Sequence, residues 1–184
     1  MKEHSNWSDV VELQAKLMEA CMDHWFNENL LTFGWWFLLI SMVAFGVAWW
    51  FLLDKSRITE ILLYGFMIAI VVKTLDTLGV AFLFWGYPNK LFPVIPSIIE
   101  IDIGHLPFVY MLIYQYFRSW KCFFAAMTIT ASIFSFVFEP IAVWLGIYQL
   151  YKWESIYSFP IYIVIGVFLK WLMMKVKQLE EKHI

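Results

Sequence analysis

Apolar residues in this chain come in long runs, and the charges collect between them. From Leu30 to Leu53 there is no charged residue, a run able to cross a hydrocarbon core of about 30 Å at about 1.5 Å of rise per residue. Further apolar stretches follow, separated by short polar turns. The pattern predicts an all-α integral membrane protein, a bundle of about five transmembrane helices covering about 31–53, 58–85, 94–117, 120–145 and 156–176. Asp54, Lys55 and Arg57 mark the first turn, and Gly86-Tyr87-Pro88-Asn89 is a strong turn signal before the third span. Pro93 and Pro96 place the start of that span between Leu91 and Ser97.

Ahead of the spans the period changes. Trp7, Val10, Val11, Leu17, Met18, Cys21, Met22 and Trp25 recur at spacings of three and four, with Asp9, Glu12, Lys16, Glu19 and Asp23 between them. This predicts an amphipathic helix over about 6–27, with Asn6 as its N-cap. Its acidic character disfavours attraction to anionic lipid, so packing on the mouth of the bundle is the preferred reading and a plain linker the alternative. The organisation is thus an extracytoplasmic N-terminal helix (1–29), a transmembrane domain (30–177) and a short tail (178–184).

Composition sharpens this picture. Only 15% of residues are charged, against about 25% in soluble domains. The net charge of −2 offers no basic field for nucleic acid. Cys21 and Cys122 have neither a disulfide-framework nor a metal-ligand spacing. The polar N-terminal segment lacks signal-peptide anatomy, so the first apolar run reads as a retained anchor.

The loops also imply an orientation. Lys55, Arg57, Arg118, Lys121, Lys175, Lys177 and Lys182 fall on one side, X, whereas Lys2, Lys16, Lys90 and Lys152 fall on the other, Y. The surplus close to the span ends puts X in the cytoplasm, with the N-terminus outside and the C-terminus inside. Trp35, Trp36, Trp85, Trp144 and Trp153 near Y, and Trp49, Trp50, Trp120 and Trp171 near X, read as interfacial belts.

Ionisable residues inside the spans are the candidate chemistry. An isolated charge at mid-membrane costs at least ~2.5 kcal/mol, so each needs a partner or a purpose. By helical rise Asp76, Glu100, Asp102 and Glu139 lie about 12–15 Å below side Y, with Lys73 and His105 near 20 Å. Three spans thus place acids at one level. Asp102 and His105 share a helix face, as do Lys73 and Asp76, while Glu100 points elsewhere from Asp102. Pro140 is expected to bend the fourth span beside Glu139, and Pro107 to act similarly near His105.

The carboxylates outnumber Lys73, and surplus acid in a low-dielectric site calls for protons, a cation or a cationic ligand. One reading is a divalent metal (Zn, Mn or Fe) on Asp76, Asp102, His105 and Glu139. A second is a protonatable pocket for a small lipid-soluble ligand or lipid substrate, with proton-transfer chemistry and with Thr74, Thr77, Tyr110 and Tyr114 orienting it. A third is a small proton or cation transporter, homo-oligomeric because five helices enclose little space. The bland alternative is a partner-binding or structural subunit whose buried charges only hold helices together. No nucleophile elbow, P-loop or dinucleotide fingerprint decides for an enzyme.

The run Tyr110-Met-Leu-Ile-Tyr-Gln-Tyr116, then Phe138-Glu139-Pro140, then Tyr157-Ser-Phe-Pro-Ile-Tyr162 resembles a poorly characterised family of small multi-pass membrane proteins from spore-forming Gram-positive bacteria. The likeness covers about residues 100–177. It implies a bacterial inner membrane and a sporulation setting, and it carries over no catalytic residue.

Overall fold

The computed structural model describes residues 6–182; the ends of the N-terminal segment and of the tail, 1–5 and 183–184, fall outside it. Helix α1 spans Trp7–His24 and starts on a reciprocal cap. The Asn6 side chain accepts from the Asp9 amide at 3.0 Å, and the Asp9 carboxylate accepts from the Asn6 amide at 2.8 Å. No residue of α1 is buried, which corrects the expectation that its apolar face packs on the bundle. The helix is anchored at its C-terminal end, where His24 Nε2 lies 3.1 Å from the Pro88 carbonyl, and through its continuation. A π-turn at Trp25–Asn29 follows, and the Trp25 indole and the Asn29 amide both donate to the Lys90 carbonyl.

Among the described residues, helices α2 (Phe33–Leu52), α3 (Ile58–Ala81) and α7 (Ser155–Glu181), with the composite helix of α5 (Trp120–Ile133), a π-turn (Phe134–Phe138) and α6 (Glu139–Trp144), are the four long and apolar enough to cross a membrane. α2 is apolar on every face, with only Gly34, Leu38 and Trp49 buried, as a helix facing hydrocarbon should be. Small residues allow close approach between helices. Gly166 leaves room for Met127 and Tyr110, and Gly65 for Met111. The core lies between α3, α5, α7 and α4 (Leu106–Tyr116), around the fully buried Ile68, Tyr64, Tyr110 and Met127. The Tyr64 hydroxyl donates to the Gly166 carbonyl at 3.1 Å.

The third predicted span comes out shorter than expected and is not among those four. Its helix begins with a π-turn at Glu100–His105 and runs on as α4, because Pro93 and Pro96 cannot sustain a helix through 91–98. It nevertheless traverses the bundle. The Gln115 amide donates to the Leu52 carbonyl at 2.7 Å, and the Asp54 amide donates to the Gln115 side-chain oxygen at 3.1 Å, tying its end to the α2–α3 turn. The second span is also shorter than predicted. α3 stops at Ala81, Leu83 adopts a left-handed φ of 54°, and the chain folds back. Trp85–Gly86 (β1) then pairs antiparallel with Gln149–Leu150 (β2), Trp85 opposite Leu150. The remaining spans match their predicted positions, α7 running on through the start of the tail.

Both mid-bundle π-turns end two residues before a proline, Pro107 and Pro140. A proline has no N–H and its ring crowds the carbonyl four residues back. Widening the preceding turn accommodates both defects. The expected bends at these prolines therefore take the form of π-turns.

Candidate functional site

The folded-back loop determines how the buried acids are used. The Trp85 indole and the Tyr87 hydroxyl both donate to Asp76 Oδ1 at 2.6 Å, and the Ile98 amide donates to Oδ2 at 3.3 Å. Trp85 reaches Asp76 by lying over Gly79, where an added Cβ would sit 2.0 Å from the indole ring. Gly79→Ala is therefore expected to displace Trp85 and destabilise the protein by about 1–3 kcal/mol. Thermal unfolding in detergent would show this as a lowered midpoint, and an unchanged midpoint would mean that the indole does not depend on this approach. Burial and the adjoining Asp76 charge push the Tyr87 hydroxyl well above its ordinary value, so it remains a donor at any physiological pH.

Glu100 addresses a different neighbour, as the helix angle predicted. Its Oε1 accepts from the Leu91 amide at 2.5 Å. Lys90 donates to the Ile95 carbonyl at 2.8 Å, and Lys73 to the Ser97 hydroxyl. The irregular segment 91–98 thus has several of its polar groups satisfied by charged side chains. Buried non-helical backbone needs such partners, and part of the apparent acid surplus serves this purpose. Burial holds the Lys90 ammonium below the ordinary lysine range.

Lys73 pairs across the helix contact. Its Nζ lies 3.7 Å from Asp102 Oδ2, not against Asp76 on its own helix. Asp76 and Asp102 are themselves direct neighbours. His105 Nδ1 faces the Glu100 carbonyl at 2.9 Å, and Nε2 faces the Ser41 hydroxyl at 3.1 Å. The carbonyl can only accept, so Nδ1 carries a proton. Neutral His105 then requires Ser41 to turn its hydroxyl proton away from the Leu38 carbonyl (3.1 Å) and towards Nε2.

Glu139 stands apart from these pairs. Tyr162 donates to its Oε1 at 3.0 Å, and Ser155 and Ser158 lie beside it. Its Oε2 is buried without a hydrogen-bond partner. Asp102 Oδ2 and Glu100 Oε2 also lack one. Tyr162, Ser158 and Trp153 line the same space as Glu139 without being marked by the charge pattern; Tyr162 and Ser158 belong to the Tyr157–Tyr162 run, which stands out only as part of a resemblance.

Asp76, Asp102, His105 and Glu139 line one cavity of about 540 Å³, within the side-Y half of the bundle. Its walls are mainly apolar, and several, including Phe37, Leu78 and Ile141, are also exposed on the outer surface. These four predicted residues share a space without converging on one point, and Lys73 and Glu100 are not part of its lining. Among the described residues no group of three or more His, Cys, Asp or Glu side chains is placed to hold a metal ion, and the four proposed ligands are each turned to partners of their own. Thr74 and Thr77 do not orient a ligand, since their hydroxyls donate to the Ile70 and Lys73 carbonyls of α3. Tyr114 points away to Glu60, and the Tyr110 hydroxyl donates to the Tyr162 carbonyl. Trp85 and Trp153, assigned above to an interfacial belt, line the cavity.

Comparison with protein-family models, with curated proteins and with solved structures finds no match for this chain.

Proposed function

We propose that the protein is a membrane-embedded binding protein for a small, lipid-soluble amphiphile, with Glu139 as the principal polar contact. The observation that carries this reading is an apolar cavity of about 540 Å³ lined by Glu139, a buried carboxylate whose Oε2 finds no hydrogen-bond partner among the described residues. Ligand pockets of about 300–1,000 Å³ with few polar groups bind molecules of this kind. An uncompensated acceptor in such a place costs about 1–3 kcal/mol unless a ligand satisfies it. The lipid-exposed residues in its walls suit a ligand that enters sideways from the bilayer. Towards side X, beyond the lining residues Val72, Val109 and Ile165, the bundle buries Ile68, Tyr64, Tyr110 and Met127 completely, which favours a closed pocket over an ion conduit. With the cation-rich side X cytoplasmic, the pocket faces the outer leaflet of a bacterial inner membrane, in keeping with the resemblance noted above.

The test is mass spectrometry of lipid and small molecules co-purified with the protein in mild detergent. The native chain is expected to retain a stoichiometric species that Glu139→Gln largely loses, while Tyr162 keeps an acceptor and thermal stability changes little. Equal retention by both proteins would overturn the assignment of Glu139.

A further inference from the structure

The polar groups around the cavity are weighted towards acids. Several donors are engaged, the Trp85 indole and Tyr87 hydroxyl to Asp76, the Trp153 indole to Ser158 Oγ at 3.0 Å, and the Tyr162 hydroxyl to Glu139, and the neutral hydroxyls of Tyr148 and Ser158 also line the space. Of the acceptors, Glu139 Oε2 is buried without a hydrogen-bond partner among the described residues, whereas Asp102 Oδ2 faces the Lys73 ammonium at 3.7 Å. Glu139 is 9% exposed and Asp102 is 2% exposed, and both line the cavity. The formal charges agree. Three carboxyl groups face the space, and the neighbouring cation is Lys73, whose ammonium is 3.7 Å from Asp102 and also donates to Ser97.

Resting on the binding role proposed above, we infer that the ligand is a single-chain amphiphilic amine, its ammonium held by Glu139 and its chain lying against the apolar wall. An ammonium has three donors and no acceptor, and its charge is opposite to that of the three acids that line the space. A hydroxyl headgroup would satisfy one acceptor and no charge. A carboxylate would meet Asp76, Asp102 and Glu139 with its own sign. A phospholipid headgroup would bring a phosphate beside the same acids, so the amine is one without a phosphate.

The experiment uses the full chain in phosphatidylcholine nanodiscs, with native mass spectrometry counting one-to-one, saturable adducts. The probes are dodecylamine, 1-dodecanol, dodecanoate and a lysophosphatidylethanolamine of matching chain. Dodecylamine is expected to bind at least ~10-fold more tightly than dodecanol, as a charge-assisted hydrogen bond provides, with dodecanoate and the lysophospholipid weaker still. Glu139→Gln is expected to bring dodecylamine down to the level of dodecanol and to leave dodecanol unchanged. Equal binding of dodecanol and dodecylamine, or dodecylamine binding unaltered by Glu139→Gln, would overturn the amine assignment while leaving an amphiphile pocket in place. A lysophospholipid binding as tightly as dodecylamine would overturn the exclusion of phosphate. Absence of one-to-one binding by any probe would remove the amphiphile pocket itself.

Discussion

Asp76→Ala is expected to unfold the protein more readily than any other single change at the site, by about 3–5 kcal/mol. The carboxylate accepts from the Trp85 indole, the Tyr87 hydroxyl and the Ile98 amide. Alanine leaves three donors in a part of the protein where water cannot readily replace their partner, at about 1–3 kcal/mol each. Removing one of two neighbouring carboxylates also relieves repulsion with Asp102, but Lys73 already offsets that charge at 3.7 Å, so the lost acceptors dominate. Asp76→Asn separates the two effects. Its carbonyl oxygen can still accept from Trp85 and Tyr87, while its amide opposes the Ile98 N–H, and a loss of only about 1–2 kcal/mol is expected. Equilibrium unfolding in mixed micelles of dodecyl sulfate, followed by tryptophan fluorescence, measures both. An alanine variant as stable as the native chain would show that Asp76 does not hold the folded-back loop.

Lys170→Met should have the second largest effect, at the opposite end of the bundle. The Lys170 side chain belongs to a residue only 4% exposed, and its Nζ donates to the Phe117 and Arg118 carbonyls, both at 2.9 Å. These are the carbonyls left open where α4 ends. The ammonium also lies 4.0 Å from the centre of the Phe123 ring and 5.3 Å from that of Trp120. Methionine fills a similar volume but abandons both carbonyls and the ring contacts. Relief from burying a charge offsets part of this, leaving an expected loss of about 2 kcal/mol. The same unfolding measurement reads it. A methionine variant at or above native stability would mean that desolvation outweighs the bonds.

Much of the architecture is visible in the pattern of apolar runs, because hydrocarbon demands length and the absence of charge. Four long apolar helices and the turn at Asp54–Arg57 are where those runs put them. The failures share a cause, which is that local periodicity does not see what folds back. Trp85 looked like the end of a span, and nothing near it in sequence signals that it returns to Asp76. Lys73 and Asp76, three residues apart on one helix, looked like partners, yet a segment some thirty residues later supplies Asp102 as the closer acid. Glu100 was separable from Asp102 by helix angle alone, since that is a local property. Its role in satisfying the Leu91 amide was not, because it depends on a loop whose path the prolines only forbid from being helical. Tyr162, Ser158 and Trp153 carry no intramembrane charge, and so nothing in the charge pattern marks them.

The two π-turns have a consequence for how this cavity could change over generations. A π-turn holds one residue more than the α-turn it replaces, so everything beyond it is rotated by about 100° relative to an uninterrupted helix. Loss of a single codon within Phe134–Phe138 would remove the extra residue and leave Glu139 on its present face, whereas the same loss within Trp120–Ile133 would turn Glu139 by about 100° away from the cavity. The carboxylate's direction is thus encoded in the spacing of the chain as much as in its chemistry. Insertions and deletions, more than substitutions, are the changes to which this pocket is most sensitive.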